Sequence, residues 1–336
     1  MPGRGTAELL GMPMTTVPVL TQLVRSRADL FLNGWTDRRI AAALQSGVLF
    51  SIRRGWFMDT ADRESLRPEQ QHHAHVIAVA RDASGSAVMS HASAAVLWGL
   101  PLYAMRLARV HMTTPSPRRI SSAPDVFRHV APLPISDVTV RSGIRCTTLS
   151  RTVFDLIRAL TPPAAVALAD AAERQMAERQ WEWDMDAVLS WRRELAARLT
   201  AAGGARGIRQ ARWVADFADG RAQLPGESVS RLHLHILGFA APDLQVPVDG
   251  PGGTRYFVDF GLADVRSFGE FDGKTKYLDE ALRSGRTLEQ VLLAEKQRED
   301  WIRGRTQWRF ARWGSEHIGS PAALAARLAT FHITPP

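Results

Sequence analysis

The sequence predicts an α+β chain of several domains, and three observations carry that reading. Its 336 residues exceed what one compact core usually organises. Its apolar periodicity switches repeatedly between helical and strand spacing, punctuated by glycine and proline. Its charge is unevenly spread: residues 1–66 are net +2, residues 67–215 net +7 and residues 216–336 net −1. Four segments result: a flexible tail over 1–14, a small helical and hairpin module over 15–66, a middle over 67–218 that is first α/β and then helical, and an α/β module over 219–336.

Composition bounds the function. Hydrophobic residues make up 45% and charged residues 23%, which excludes wholesale disorder and fibrous repeats. No apolar run approaches the ~18–20 residues of a membrane span, and the opening MPGRGTAELLGMPM has no leader pattern. The single cysteine, Cys146, can form neither an intramolecular disulfide nor a cysteine-based zinc site. A cytoplasmic chain with no membrane partner is expected. The net charge of +8 favours a polyanionic partner. Lysine occurs only at Lys274, Lys276 and Lys296. In so arginine-biased a chain, a lysine is more apt to be needed as a compact, tunable charge.

In the first module, residues 17–34 read as two short helices ended by Asn33-Gly34. A third opens with Thr36 as N-cap, carries Asp37 in its first turn and Ile40, Ala41 and Leu44 on its apolar face, and stops at Gly47. Two β-rich runs hinged on Arg53-Arg54-Gly55 read as a hairpin. Three helices and a hairpin outline a winged helix-turn-helix, whose third helix would lead into a DNA major groove. Thr36, Arg38, Arg39 and Gln45 would lie at that helix, and Arg53 and Arg54 at the wing tip would meet phosphate or the minor groove of double-stranded DNA. The same outline also serves as a protein-interaction module.

The run from Leu20 to Phe57, closing in LFSIRRGWFMD, resembles the N-terminal winged-helix domain of AbiEi-type antitoxins of type IV toxin–antitoxin systems. Many relatives close that domain with a G-x-L-x-R-x-x-x-G-v-Y run. Here Ser51 replaces the usual arginine.

In the middle segment, residues 69–81 form an apolar-striped helix bearing His72, His73 and His75. His72 and His75 share a face at i,i+3, but a partly buried histidine cluster accounts for them better than a metal site. Ser90 caps the next helix, which Gly99 and Pro101 end. Ser90 and His91 are neighbours expected to point in different directions. A β-rich stretch follows, then a helix opened by Thr148 or Ser150. The strings SHASAAVLWGLP, VHMTTP and GIRCTTLSRTVFDLI extend the antitoxin resemblance over residues 15–175. The helical stretch 162–218 holds Arg192, Arg193, Arg198, Arg206, Arg209 and Arg212, which could follow a DNA backbone or form a solvated face.

The last module reads as α-β-β-β-α-β-α, the order of a restriction-endonuclease-like core. Asp259 sits in YFVDF, and Glu270 and Asp272 lie at i and i+2 in FGEFDGK, on one strand face. With Glu227 from the preceding helix, Asp259 and Glu270 could hold Mg²⁺ for in-line attack by water. The same acids could instead pair with Arg298, Arg303 or Arg309. VDFGLAD, GEFDGKTKY and WRFARW resemble relatives of the very-short-patch-repair nucleases in the PD-(D/E)XK superfamily. That resemblance makes Asp259 the metal-binding acid, Glu270 the motif acid and Asp272 part of an E-x-D-G variant. Asp272 stands where E-x-K would put lysine, so the catalytic lysine would be Lys274 or Lys296.

Two functions are therefore expected in order. The first is a DNA-binding regulator that represses its own operon, with a nucleotidyltransferase-type toxin as its functional counterpart. The second is a Mg²⁺-dependent endonuclease aimed by the winged helix.

Overall fold

A computed structural model describes residues 17–83, 88–115, 123–179, 182–272 and 287–336. The chain is α+β, with 13 α-helices and four sheets among the described residues. None of these helices is long and apolar enough to cross a membrane. Two compact units emerge, one from residues 8–160 with 190–213, the other from 161–189 with 214–336. Neither predicted boundary, at 66/67 or at 218/219, separates them.

The first unit opens with α1 (Val17–Leu23), β1 (Arg25–Ser26), α2 (Arg27–Leu32), α3 (Asp37–Gln45), β2 (Leu49–Arg53) and β3 (Trp56–Asp59). Local chemistry explains most of these limits. Ser26 and Asp29 form a reciprocal capping box on α2, and the Thr36 hydroxyl accepts the Arg39 N–H at 3.2 Å to start α3. Gly47 and Gly55 take φ of +74° and +82°, which lets α3 end and the hairpin turn without Cβ strain. Leu30, Ile40, Leu49 and Phe57 form the small core, with Trp35, Ala43 and Leu44 packed against it. One strand was not anticipated. β1 pairs with β3 and completes an antiparallel sheet in the order β1-β3-β2.

Then come α4 (Thr60–Ser65), α5 (Pro68–Asp82), β4 (Val88–Met89), α6 (His91–Trp98), β5 (Val110–Thr114), β6 (Val126–Val130), β7 (Val138–Arg141), β8 (Ile144–Thr147) and α7 (Leu149–Ile157). The five strands form a mixed sheet in the order β6-β5-β4-β8-β7, with β5/β6 and β4/β8 parallel. Thr148 caps α7, its hydroxyl accepting the Arg151 N–H at 3.4 Å.

The chain continues through α8 (Pro162–Ala177), the two-residue strands β9 (Glu178–Arg179) and β10 (Glu182–Trp183), α9 (Met185–Ala201) and α10 (Ile208–Phe217). The second unit is completed by α11 (Pro225–Ile236), β11 (Asp243–Asp249), β12 (Arg255–Leu262), β13 (Ser267–Phe271), α12 (Leu288–Thr306), β14 (Arg309–Trp313) and α13 (Pro321–Ala329). Among the described residues this is the predicted element order; the expected start of the helical region near residue 278 lies outside them. The strands run β11-β12-β13-β14, antiparallel except for the parallel β13/β14 pair. Val248, Val258, Phe268, Ile302 and Phe310 fill one side of the sheet. Gly269 is required by packing, because a Cβ there would lie 2.2 Å from the Trp313 ring.

Candidate nucleic-acid interface and acidic cluster

In α3, Ile40 is buried while residues 37–39, 41, 42 and 45 are exposed. Arg38, Ala41, Ala42 and Gln45 recur at i, i+3, i+4 and i+7 and so share one solvent-facing stripe. Two small residues lie between an arginine and a glutamine, which leaves the middle of the stripe low. Asp37 is neutralised by Arg27 at 2.5 Å, so the helix start presents net positive charge. Arg39 lies over the Trp35 ring, its guanidinium carbon 4.3 Å from the centroid. The Thr36 hydroxyl oxygen is committed to the cap.

At the hairpin the two arginines part company. Arg54 is exposed at the turn. Arg53 corrects the expectation of a free wing tip: it pairs with Asp82 at 2.8 Å and Asp125 at 3.1 Å. A register shift between Ser51 and Arg53 turns the strand there, which brings Arg53 to this pair. The same aspartates also accept from the Trp56 indole at 2.7 Å and bond His75 at 2.9 Å. Among the later arginines, Arg192, Arg193, Arg206, Arg209 and Arg212 are exposed, whereas Arg198 is withdrawn into a pair with Asp137 at 2.7 Å. Asp137 also binds Arg151 at 2.9 Å. Burial alone would raise the Asp137 pKa, but the two arginines outweigh it and hold it low.

The predicted acids of the second unit come only partly together. Glu227 is buried in α11, and its Oε2 accepts the Gln223 N–H at 2.7 Å. Asp259 lies in the middle of β12, and its Oδ2 accepts the Phe271 N–H at 2.9 Å. The Gln245 side-chain amide reaches both carboxylates, at 3.4 Å each. Glu270 faces different partners. Its carboxylate pairs with Arg298 at 2.6 Å and with Arg312 at 3.2 Å. Asp272 falls just past β13, its N–H donating to Trp313 O at 2.8 Å, beside a cleft that Arg312, His317 and Arg327 also line. Lys296 is exposed on α12, and Lys274 lies outside the described residues. Mg²⁺ needs carboxylate oxygens with free lone pairs. Glu270 already shares its carboxylate with two guanidinium groups, so an ion held by Glu227 and Asp259 would have to share it with them.

Of three histidine findings, the first is in line with the expected buried cluster and the other two were not legible beforehand. His72 bonds the Ser93 hydroxyl at 3.0 Å while His75 bonds Asp125, so the i,i+3 pair does not converge. Ser90 makes no side-chain cap, and its Oγ lies 3.1 Å from His91 Nδ1, so these neighbours do meet. Third, one ring nitrogen from each of His91, His111 and His129 lies within 4.8 Å of the others. These three residues carry no motif spacing along the chain; the pairing of β5 with β6 is what brings the two strand histidines together.

Comparison with known proteins adds little chemistry. No family model matches the chain. Two uncharacterized proteins of Mycobacterium tuberculosis, MT2308 (strain CDC 1551 / Oshkosh) and Rv2248 (strain ATCC 25618 / H37Rv), are 35% identical to it over 131 residues. That match covers 39% of this chain and 44% of each relative, under half of their length.

Proposed function

We propose that the chain is a DNA-binding transcriptional regulator, in which α1–α3 and the β2/β3 hairpin act as a winged helix. One observation carries the reading: the exposed stripe of Arg38, Ala41, Ala42 and Gln45 on α3. Its chemistry matches a major groove. Arginine can bond guanine bidentately, glutamine adenine, and alanine can meet a thymine methyl. The low centre lets a helix approach base edges closely, and Arg54 stands ready for phosphate. The antitoxin resemblance suggests the target, the operator of the chain's own operon, with a nucleotidyltransferase-type toxin as functional counterpart. The endonuclease alternative has weaker support, because Glu270 is engaged with arginines.

A gel shift against the protein's own upstream DNA tests the proposal. Arg38→Ala should reduce discrimination between operator and unrelated duplex by about 5- to 150-fold, the worth of one bidentate base contact. Arg54→Ala should weaken all duplexes similarly and flatten the salt dependence by about one unit of slope. Binding that ignores both changes, or no binding at low salt, would refute the assignment.

A further inference from the structure

We propose that His91, His111 and His129 form a transition-metal site, a three-imidazole set for Zn²⁺ with one coordination position left open. The strand register places two of the ligands. β5 and β6 run parallel with His111 opposite Phe127 and Thr113 opposite His129. His111 and His129 therefore share a sheet face, and their Nδ1 and Nε2 atoms lie 3.0 Å apart. His91, the first residue of α6, stacks on His129 with ring centroids 3.6 Å apart and planes 9° from parallel.

The third ligand is held there by construction. Ser90 N–H donates to His111 O at 3.0 Å, His111 N–H donates to Ser93 Oγ at 2.8 Å, and Thr113 Oγ1 donates to Ser90 Oγ at 2.8 Å. These bonds tie the start of α6 to β5. His91 takes φ of +51°, a left-handed conformation costing a side-chain-bearing residue about 1–2 kcal/mol. Nothing in the helix itself calls for that conformation, and it sets the imidazole against the strand pair.

The donor chemistry selects the ion. His91 Nδ1 contacts Ser90 Oγ, a second partner of the kind metal-bound histidine commonly has; with Nδ1 as the donor in that contact, Nε2 is the ligand nitrogen. Tetrahedral zinc with nitrogens at about 2.0–2.1 Å separates them by about 3.3 Å, close to the spacing of the strand pair. The His91 and His129 rings must tilt out of their stack for both in-plane lone pairs to meet at one ion. Among the described residues no carboxylate joins the set, so its ligand type favours Zn²⁺ over Mg²⁺ and Ca²⁺. Arg109 lies towards His111, and Arg151 and Arg158 towards His91, with Arg151 itself paired to Asp137 and Asp155. That positive setting suits water, hydroxide or a small anion in the open position. All three rings are half-buried beside Phe127, 43% exposed, so an ion can enter.

The test is titration of the chelator-treated full chain with Co²⁺, read by the visible d–d bands of a four-coordinate ion, followed by displacement with Zn²⁺. One equivalent should bind. His129→Gln and His91→Gln should each weaken binding by at least about 10-fold, Ser90→Ala by about 10-fold, and His75→Ala should leave it unchanged. Far-UV circular dichroism establishes that each variant is folded, and the glutamine variants keep size and polarity where alanine in β5 or β6 could unfold the sheet. Failure of the folded wild-type chain to take up Co²⁺ or Zn²⁺ would overturn the site. So would uptake that is equal in wild type, His91→Gln and His129→Gln.

Discussion

Replacing Glu270 with alanine separates a fold-holding acid from a catalytic one. The residue is 5% exposed, and its two guanidinium partners stand at 2.6 and 3.2 Å. Truncation would leave two arginines in a buried setting with one fewer anion. Losing one member of such a group costs about 3–5 kcal/mol. Glu295 also binds both Arg298 and Arg312, and Glu299 lies 3.3 Å from Arg312, so the remaining carboxylates take up part of the charge. The lower end, about 3 kcal/mol, is therefore expected. At a urea slope of about 2 kcal/mol/M this moves the unfolding midpoint down by about 1.5 M. Tryptophan fluorescence reads the transition where it matters, because Trp313 is buried in β14 beside the cluster. The double variant Glu270→Met, Arg298→Met should recover much of the loss, since paired apolar side chains remove the stranded charge along with its partner. Plasmid incubated with Mg²⁺ gives the opposing readout. An unchanged urea midpoint, together with metal-dependent cleavage lost in Glu270→Ala, would show this assignment of the acid to be wrong.

The hairpin and the buried histidines give two more expectations. Arg53→Ala removes the partner of Asp82 and Asp125 at a site only partly screened from water, so a stability loss of about 1–2 kcal/mol is expected with little change in DNA affinity; a gel shift and a thermal melt on one preparation distinguish this from Arg54→Ala. Burial holds His72 down to about 3 and His73 to about 4, against 6.5 for a free imidazole. Between those values the unfolded chain binds more protons than the folded one, so stability falls as pH drops below 6.5. At about pH 5 each residue costs about 2 kcal/mol, so the unit containing α5 should melt well below its temperature at about pH 7.5. A melting temperature that stays constant across that window would contradict the burial of these two rings.

Local signals carried most of the elements. Thr36, Gly47 and Gly55 each act within a few residues of where they stand, so α3 and its hairpin were legible to within a residue or two. Pro225 and Glu227 in the first turn of α11 act as locally. Failures came where a partner lies far along the chain. β1 is two residues long and exists only because Phe57 and Trp56 pair with it. Arg298 was among the partners the sequence offered for Glu270, but Arg312 was not, because only the parallel β13/β14 register sets it opposite Glu270. The direction of Arg53 depends on a register shift that its sequence neighbours do not announce. His91 adds a case of backbone freedom: adjacent helix residues diverge, yet a left-handed first residue turns its ring back to Ser90.

These burials bear on the charge argument without weakening it. Residues 1–215 hold 27 basic and 18 acidic groups, and two of the arginines expected to meet DNA, Arg53 and Arg198, are instead paired inside the fold. Arg53, Arg151 and Arg198 are matched by four aspartates, Asp82, Asp125, Asp137 and Asp155, so taking them out of the count does not reduce the surplus. It transfers that surplus to fewer, more exposed side chains, Arg38 and Arg54 among them. A patch made of fewer phosphate contacts has a shallower salt slope than the raw arginine count implies, because each neutralised phosphate adds close to one unit. The slope measured for wild type therefore counts the arginines that reach the backbone. The drop in slope on Arg54→Ala, absent on Arg53→Ala, would locate one of them at the hairpin turn.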